Sequence, residues 1–221
     1  MKALIFDLDG TLIDSVYAHT LAWQRALKEV GIETPAWEIH RRIGISGKLL
    51  AKSIAREQER TLSDALIEKA EGRHSAIFRE ITPSASPLPG ACDLLRFLHR
   101  AQIPHGIATS GKRVEIGDSL KALAVGSDVI VIAGDSVERA KPDPDLFLQC
   151  QHELGIAPSE CLVVGDAVWD VHSARRAGIS AVGVLTGGFG EQELYNAGAM
   201  RVYAGARELH RALDELGFTS L

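Results

Sequence analysis

Phe6-Asp7-Leu8-Asp9-Gly10-Thr11 sets two carboxylates two residues apart, directly after the apolar run Ala3-Leu4-Ile5-Phe6. That run reads as a buried strand, and Gly10-Thr11 ends it. Both acids therefore fall at the carboxyl end of a strand, where open α/β sheets place their ligand crevices. Neighbouring acids at a buried strand end cost stability unless a cation or a reaction employs them. The competing reading of this hexapeptide, taken alone, is a strand running into a solvated acidic turn.

Outward from this strand the pattern changes twice. Residues 16–83 read as helical, without a β-branched strand. Leu21, Trp23, Ala26, Leu27 and Val30 keep helical spacing up to Gly31, and further helices are expected near 35–43, 46–58 and 63–80. Thr82-Pro83-Ser84-Ala85-Ser86-Pro87-Leu88-Pro89-Gly90 then breaks the pattern. Beyond it helices near 90–101, 112–124, 143–155 and 168–177 alternate with strands near 104–109, 128–133, 161–165 and 180–184, and a last helix falls near 206–216. Alternation with short loops predicts an α/β fold with a doubly wound parallel sheet. The expected division is a core of residues 1–14 and 84–221 with an all-helical insert over 15–83.

Three more clusters fall at strand ends. Thr109-Ser110-Gly111 follows the second strand, where hydroxyls and N–H groups at a helix start can hold phosphate oxygens, or serve as an ordinary helix cap. Lys141-Pro142-Asp143-Pro144 precedes a helix; its prolines limit the backbone around a lysine suited to a phosphate or a crowded carboxylate site, or simply to solvent. Asp166 ends a buried strand and Asp170 lies four residues on, so hard oxygen ligands for Mg²⁺ can share one face; Asp170 can equally cap the helix.

Composition narrows the function classes. At 221 residues and 46% hydrophobic, the chain can bury a full core. Its net charge of -5 argues against general nucleic-acid or anionic-membrane binding. Residues 15–83 carry 11 Lys+Arg against 9 Asp+Glu and the remainder 13 against 20; a mildly basic insert facing an acid-rich core would suit an anionic substrate with a bound metal cation, the competing reading being chance variation in surface charge. Cys92, Cys150 and Cys161 form no CxxC and point to a reducing cytoplasm. No secretory core precedes Asp7, and the apolar run at 129–133 is too short to span a membrane.

The ordered set of Asp-x-Asp-Gly-Thr, Thr-Ser, Lys-Pro and Gly-Asp-x-x-x-Asp resembles the haloacid dehalogenase superfamily, in its branch of small phosphatases with a helical cap after the first motif. The resemblance spans nearly the whole chain, including Leu185-Thr186-Gly187-Gly188. It implies a Rossmann-like core with an inserted cap, and hydrolysis of a small phosphorylated metabolite with Mg²⁺. By the same resemblance Asp7 is the nucleophile that becomes an aspartyl-phosphate, and Asp9 is the general acid and then base. Thr109, Ser110 and Gly111 bind phosphate, and Lys141 orients Asp7 and offsets charge. Asp7, Asp166 and the Asp9 carbonyl ligate Mg²⁺, and Asp170 supports the metal or Lys141. Asp9 needs a raised pKa for its task, and sharing a site with Asp7 is expected to supply it.

Alternatives on the same scaffold differ at particular residues. Asp9 argues against a dehalogenase and a phosphonatase; the latter would need a cap lysine as Schiff base, for which Lys48 is the candidate. A β-phosphoglucomutase shares the core motifs, but that family typically carries Arg where Gly47 stands. A signalling receiver also phosphorylates an aspartate, yet is shorter and has no helical insert, and a binding protein without catalysis can share the fold. Arg41, Arg42 and Lys48 are the expected substrate contacts from the cap. Trp23 and Trp37 are expected in the cap core, and Thr186–Gly190 as a loop at the mouth of the site. The residues carry no reading of oligomeric state.

Overall fold

The computed structural model describes residues 1–218. β1 (Ala3–Phe6) is buried along its whole length. The chain then enters α1 (Val16–Glu29), α2 (Ala36–His40), α3 (Gly47–Glu57) and α4 (Asp64–Ile81). Ser46 and Ser63 cap α3 and α4, their side chains accepting from the N–H groups of Leu49 and Leu66. These helices bury a cluster of their own around Trp23, Leu27, Ile39, Leu50 and Ile54. Small residues let α1 approach α4: Ala22 and Ala26 pack on Ile77.

The alternating part follows as α5 (Ala91–Arg100), β2 (His105–Ala108), α6 (Gly117–Ala122), β3 (Ile130–Ile132), α7 (Asp145–Leu154), β4 (Cys161–Gly165), α8 (Val168–Arg176), β5 (Ser180–Val184), α9 (Glu191–Ala197), β6 (Val202–Tyr203) and α10 (Ala206–Arg211). The strands form one parallel sheet in the order β3-β2-β1-β4-β5-β6. Side chains alternate across it. Leu4 and Phe6 pack with Leu94, Leu98 and Leu209 on one face, while Ala3 and Ile5 pack with Phe147 and Val171 on the other. The doubly wound α/β architecture is as the sequence predicts. Among the described residues no helix is long and apolar enough to cross a membrane.

Topology positions the site. The chain leaves β3 at one edge and crosses to β4 on the far side of β1, so the order reverses beside β1. Phe6 stands opposite Ile107 on β2 and Val164 on β4, which brings the ends of these three strands level.

Some local expectations are corrected. The helix near 112–124 shrinks to six residues, because residues 112–116 turn against the site, Glu115 N–H bonding Lys112 O. The last helix ends at Arg211 and continues as turns. α9 and the two-residue β6 are additional to the elements the sequence predicts, β6 being too short to show a period of two. Trp37 is 66% exposed and not part of a core, whereas Trp23 is buried.

Candidate active site

Asp7 follows the last residue of β1, its N–H bonded to Val164 O at 2.9 Å. Lys141 reaches it from the loop before α7, from which its backbone O also accepts Ser46 N–H of the helical insert at 3.3 Å. The lysine is fully buried. Its Nζ contacts Asp7 Oδ1, lies 2.9 Å from Asp170 Oδ1 and sits 4.9 Å from the Phe147 ring centroid. Asp170 Oδ2 accepts the Ala167 N–H at 3.0 Å, closing the start of α8. Its Oδ1 has the ionic contact to Lys141 but no aligned hydrogen bond. Asp166 accepts from Thr11 Oγ1 at 2.8 Å. Gly10 lets the backbone pass close to it: φ is +88°, and a Cβ there would stand 2.5 Å from Asp166 Oδ2.

One ammonium thus faces three buried carboxylates. Burial, together with the charges of Asp170 and Asp9, pushes Asp7 up to about 7 against the pull of Lys141. Burial and the charges of Asp170 and Asp7 raise Asp166 well above the carboxylate range. Burial would lower Lys141, but Asp170 and Asp7 hold it above its ordinary value. Asp7, Asp166 and Asp170 each offer an oxygen within 4.8 Å of the others. Hard oxygen donors, surplus negative charge and the unaligned Asp170 Oδ1 fit a divalent cation such as Mg²⁺.

The Asp9 carboxylate stands outside this group. It accepts from Ser15 Oγ at 2.6 Å and lies 3.4 Å from His19 Nε2. Burial works to raise it, but the His19 and Ser15 hydrogen bonds hold it below its usual value. The expectation of a raised Asp9 is therefore corrected: of the two, Asp7 is raised, by burial and the charges of Asp170 and Asp9, whereas Ser15 and His19, at the start of and within α1, hold Asp9 low.

Thr109 is buried, with Oγ1 accepting Gly111 N–H at 3.0 Å, so Thr109 and Gly111 form a closed turn facing Asp7 and Asp9. Ser110 donates its hydroxyl to Gly44 O at 2.8 Å, tying the end of β2 to the insert. A cavity of ≈ 100 Å³ opens between Asp7, Asp9, Thr109 and the insert.

The expected cap cations do not reach that cavity. Arg41 pairs with Glu193 and stacks 4.3 Å above Phe189, beside α9. Arg42 pairs with Glu57 and bonds Ser53 and Glu38 O. Lys48 lies 3.2 Å from Asp64 and is largely exposed. Each carries a local acid partner, which sequence distance from the motifs concealed. The cavity is lined instead by His19, Trp23, Glu71, His74, Lys112 and Glu115. Trp23 is expected from the sequence only as cap core; His19, Glu71, His74, Lys112 and Glu115 belong to no motif, and only the place of His19, near the first motif, is a usable signal. Thr186 bonds Gly10 O at 2.5 Å, so the loop after β5 flanks the first motif.

Residues 1–178 match the model of the haloacid dehalogenase-like hydrolase family. The chain belongs to that family. It is 33% identical over 190 residues to hexitol phosphatase A of Escherichia coli strain K12, spanning 83% of this chain and 82% of that one. It is 30% identical over 194 residues to β-phosphoglucomutase of Bacillus subtilis strain 168, spanning 85% and 84%. Among solved structures, a hydrolase from Pseudomonas syringae superposes with a TM-score of 0.94 at 41% identity, covering 98% and 99%.

Proposed function

We propose that this enzyme hydrolyses a small phosphomonoester with Mg²⁺ through an aspartyl-phosphate on Asp7. The observation that carries this reading is the placement of Asp7: it contacts Lys141, shares the acidic group with Asp166 and Asp170, and opens on the cavity beside Asp9. Asp7, Asp166 and the Asp9 carbonyl would hold the cation, with Asp170 in support. A bound Mg²⁺ would keep Asp7 ionised and offset its repulsion from a phosphate dianion.

The chain's own groups do the rest. Thr109, with the Ser110 and Gly111 backbone, holds the phosphoryl oxygens, and Lys141 aligns Asp7. An Asp7 oxygen attacks phosphorus while the ester P–O bond breaks, and Asp9 gives its proton to the leaving oxygen. Asp9 then takes a proton from water as that water attacks phosphorus, releasing phosphate and restoring Asp7. The phosphate dianion raises Asp9 on arrival and favours its protonated form. Residues 15–83 act as a cap over a core of 1–14 and 84–221; a buried cluster made of their own residues, touched from the core by Trp169, supports this division. The unpaired cysteines support a reducing cytoplasm.

A mutase is the second reading, favoured by the likeness to β-phosphoglucomutase. Moving a phosphoryl group between two positions of a sugar requires holding a bisphosphate, and so a second cationic site. Gly47 lines the cavity without a side chain, and a Cβ there would meet Trp23 Cζ2 at 2.7 Å. This favours hydrolysis. Phosphate release from p-nitrophenyl phosphate with Mg²⁺ tests the proposal: Asp7→Asn releasing p-nitrophenol as fast as wild type refutes it.

A further inference from the structure

The wall of the cavity facing Asp7 is unusually acidic for a site that receives phosphate. Glu71 from α4 and Glu115 from the turn before α6 both line it. Ser75 donates its hydroxyl to Glu115, and Lys112 lies 3.0 Å from Glu71. Lys112 is the single lysine or arginine on the lining among the described residues, since Lys141 lies fully buried beneath Asp7. Both ring nitrogens of His19 are engaged, Nδ1 with His74 at 3.0 Å and Nε2 with Asp9. Gly47, against Trp23 and 3.0 Å from Glu71 Oε1 at its Cβ position, has no room for an added cation.

From this lining we infer that the leaving group is a neutral polyhydroxy carbon chain, selected by Glu71 and Glu115, and that alcohols bearing a carboxylate are rejected. The inference rests on the phosphatase reading and specifies its substrate class. Hydroxyls of a polyol donate to the two carboxylates. A carboxylate on the leaving group finds Lys112 already paired with Glu71 and meets the charge of Glu115, which has only the Ser75 hydroxyl as partner, in a confined space where such juxtaposition discriminates strongly.

Glycerol 3-phosphate and 3-phosphoglycerate test this, because they differ in a single CH₂OH against COO⁻. With Mg²⁺ at pH 7.5, we expect kcat/KM for glycerol 3-phosphate to exceed that for 3-phosphoglycerate by about tenfold or more. In Glu71→Gln, Lys112 is released, and the ratio should fall about tenfold through a lower KM for 3-phosphoglycerate. Glu115→Gln should shift it in the same direction, so the test does not depend on one variant folding. Wild type favouring 3-phosphoglycerate, or a ratio unchanged in both variants, overturns the inference. Turnover of p-nitrophenyl phosphate with neither three-carbon ester hydrolysed overturns it too, while sparing the phosphatase reading. Loss of all three activities in wild type removes both.

Discussion

Lys141 Nζ stands 2.9 Å from Asp170 Oδ1 while the other oxygen of that carboxylate closes the start of α8. The ion pair is therefore anchored to a helix end, and it carries Lys141 to Asp7. Removing the ammonium leaves three buried carboxylates without a counter-charge. We expect Lys141→Met to destabilise the metal-free protein at pH 8 by about 3–5 kcal/mol, the usual cost of breaking a buried pair. Urea unfolding measures it, and adding Asp170→Asn should recover part of the loss. Equal destabilisation in the single and double variants would contradict this account.

The acidic group links metal binding to stability. Asp7 and Asp166 are raised, so the folded state holds more protons than the unfolded one above pH 3.8, and stability falls as pH climbs through their folded pKa values. Without Mg²⁺ at pH 8, Asp166→Asn should match or exceed wild type in thermal stability. With Mg²⁺ at about 100 times its Kd, wild type should gain about 2.7 kcal/mol and overtake the variant. Calorimetry with and without EDTA reads both arms, and an equal gain in both proteins would exclude Asp166 as a ligand.

His74 works in the opposite pH direction. Burial and the neighbouring His19 lower it well below 6.5. Unfolding then takes up a proton, so stability is lost as pH falls through 6.5 towards the folded value. The His74 contribution is about 1.4 kcal/mol per pH unit in that window. Because Asp7 and Asp166 titrate with the other sign, the informative quantity is the difference between wild type and His74→Gln. Chemical unfolding from pH 7.5 to 5.5 should give a shallower loss in the variant; parallel curves would remove His74 from the balance.

Gly47 tests the tightness of the cavity wall. Its Cβ position lies 2.7 Å from Trp23 Cζ2, a contact that some atom must yield. We expect Gly47→Ala to cost about 1–3 kcal/mol through overpacking, and Gly47→Arg to cost at least as much without creating mutase activity. Thermal unfolding and a β-glucose 1-phosphate assay decide; a fully stable Gly47→Arg that interconverts sugar phosphates would revive the mutase reading.

The legible part of this protein lay where chemistry and periodicity coincide. Ala3–Phe6 followed by two acids announces a strand end, and Thr109, Lys141, Asp166 and Asp170 repeat the signal after the other strands. Parallel register then makes their convergence a consequence of topology, since Phe6 stands level with Ile107 and Val164. What lay beyond the sequence depends on side chains meeting across long separations. Nothing in the local sequence shows that Arg41, Arg42 and Lys48 stand beside Glu193, Glu57 and Asp64, and away from the lining of the cavity at Asp7. His19 on α1, Glu71 on α4 and Glu115 in the turn before α6 carry no motif, and only tertiary packing brings them onto one cavity with Asp7. The roles of Asp7 and Asp9 divide for the same reason: both were visible as acids, but a pKa is set by neighbours, and the donors that keep Asp9 low come from the folded insert. Local sequence thus determined which chemistry stands at the strand ends, because strand period and turn residues are local. Tertiary structure alone decided which charges are neutralised and what faces the substrate, because electrostatics depends on distance in space.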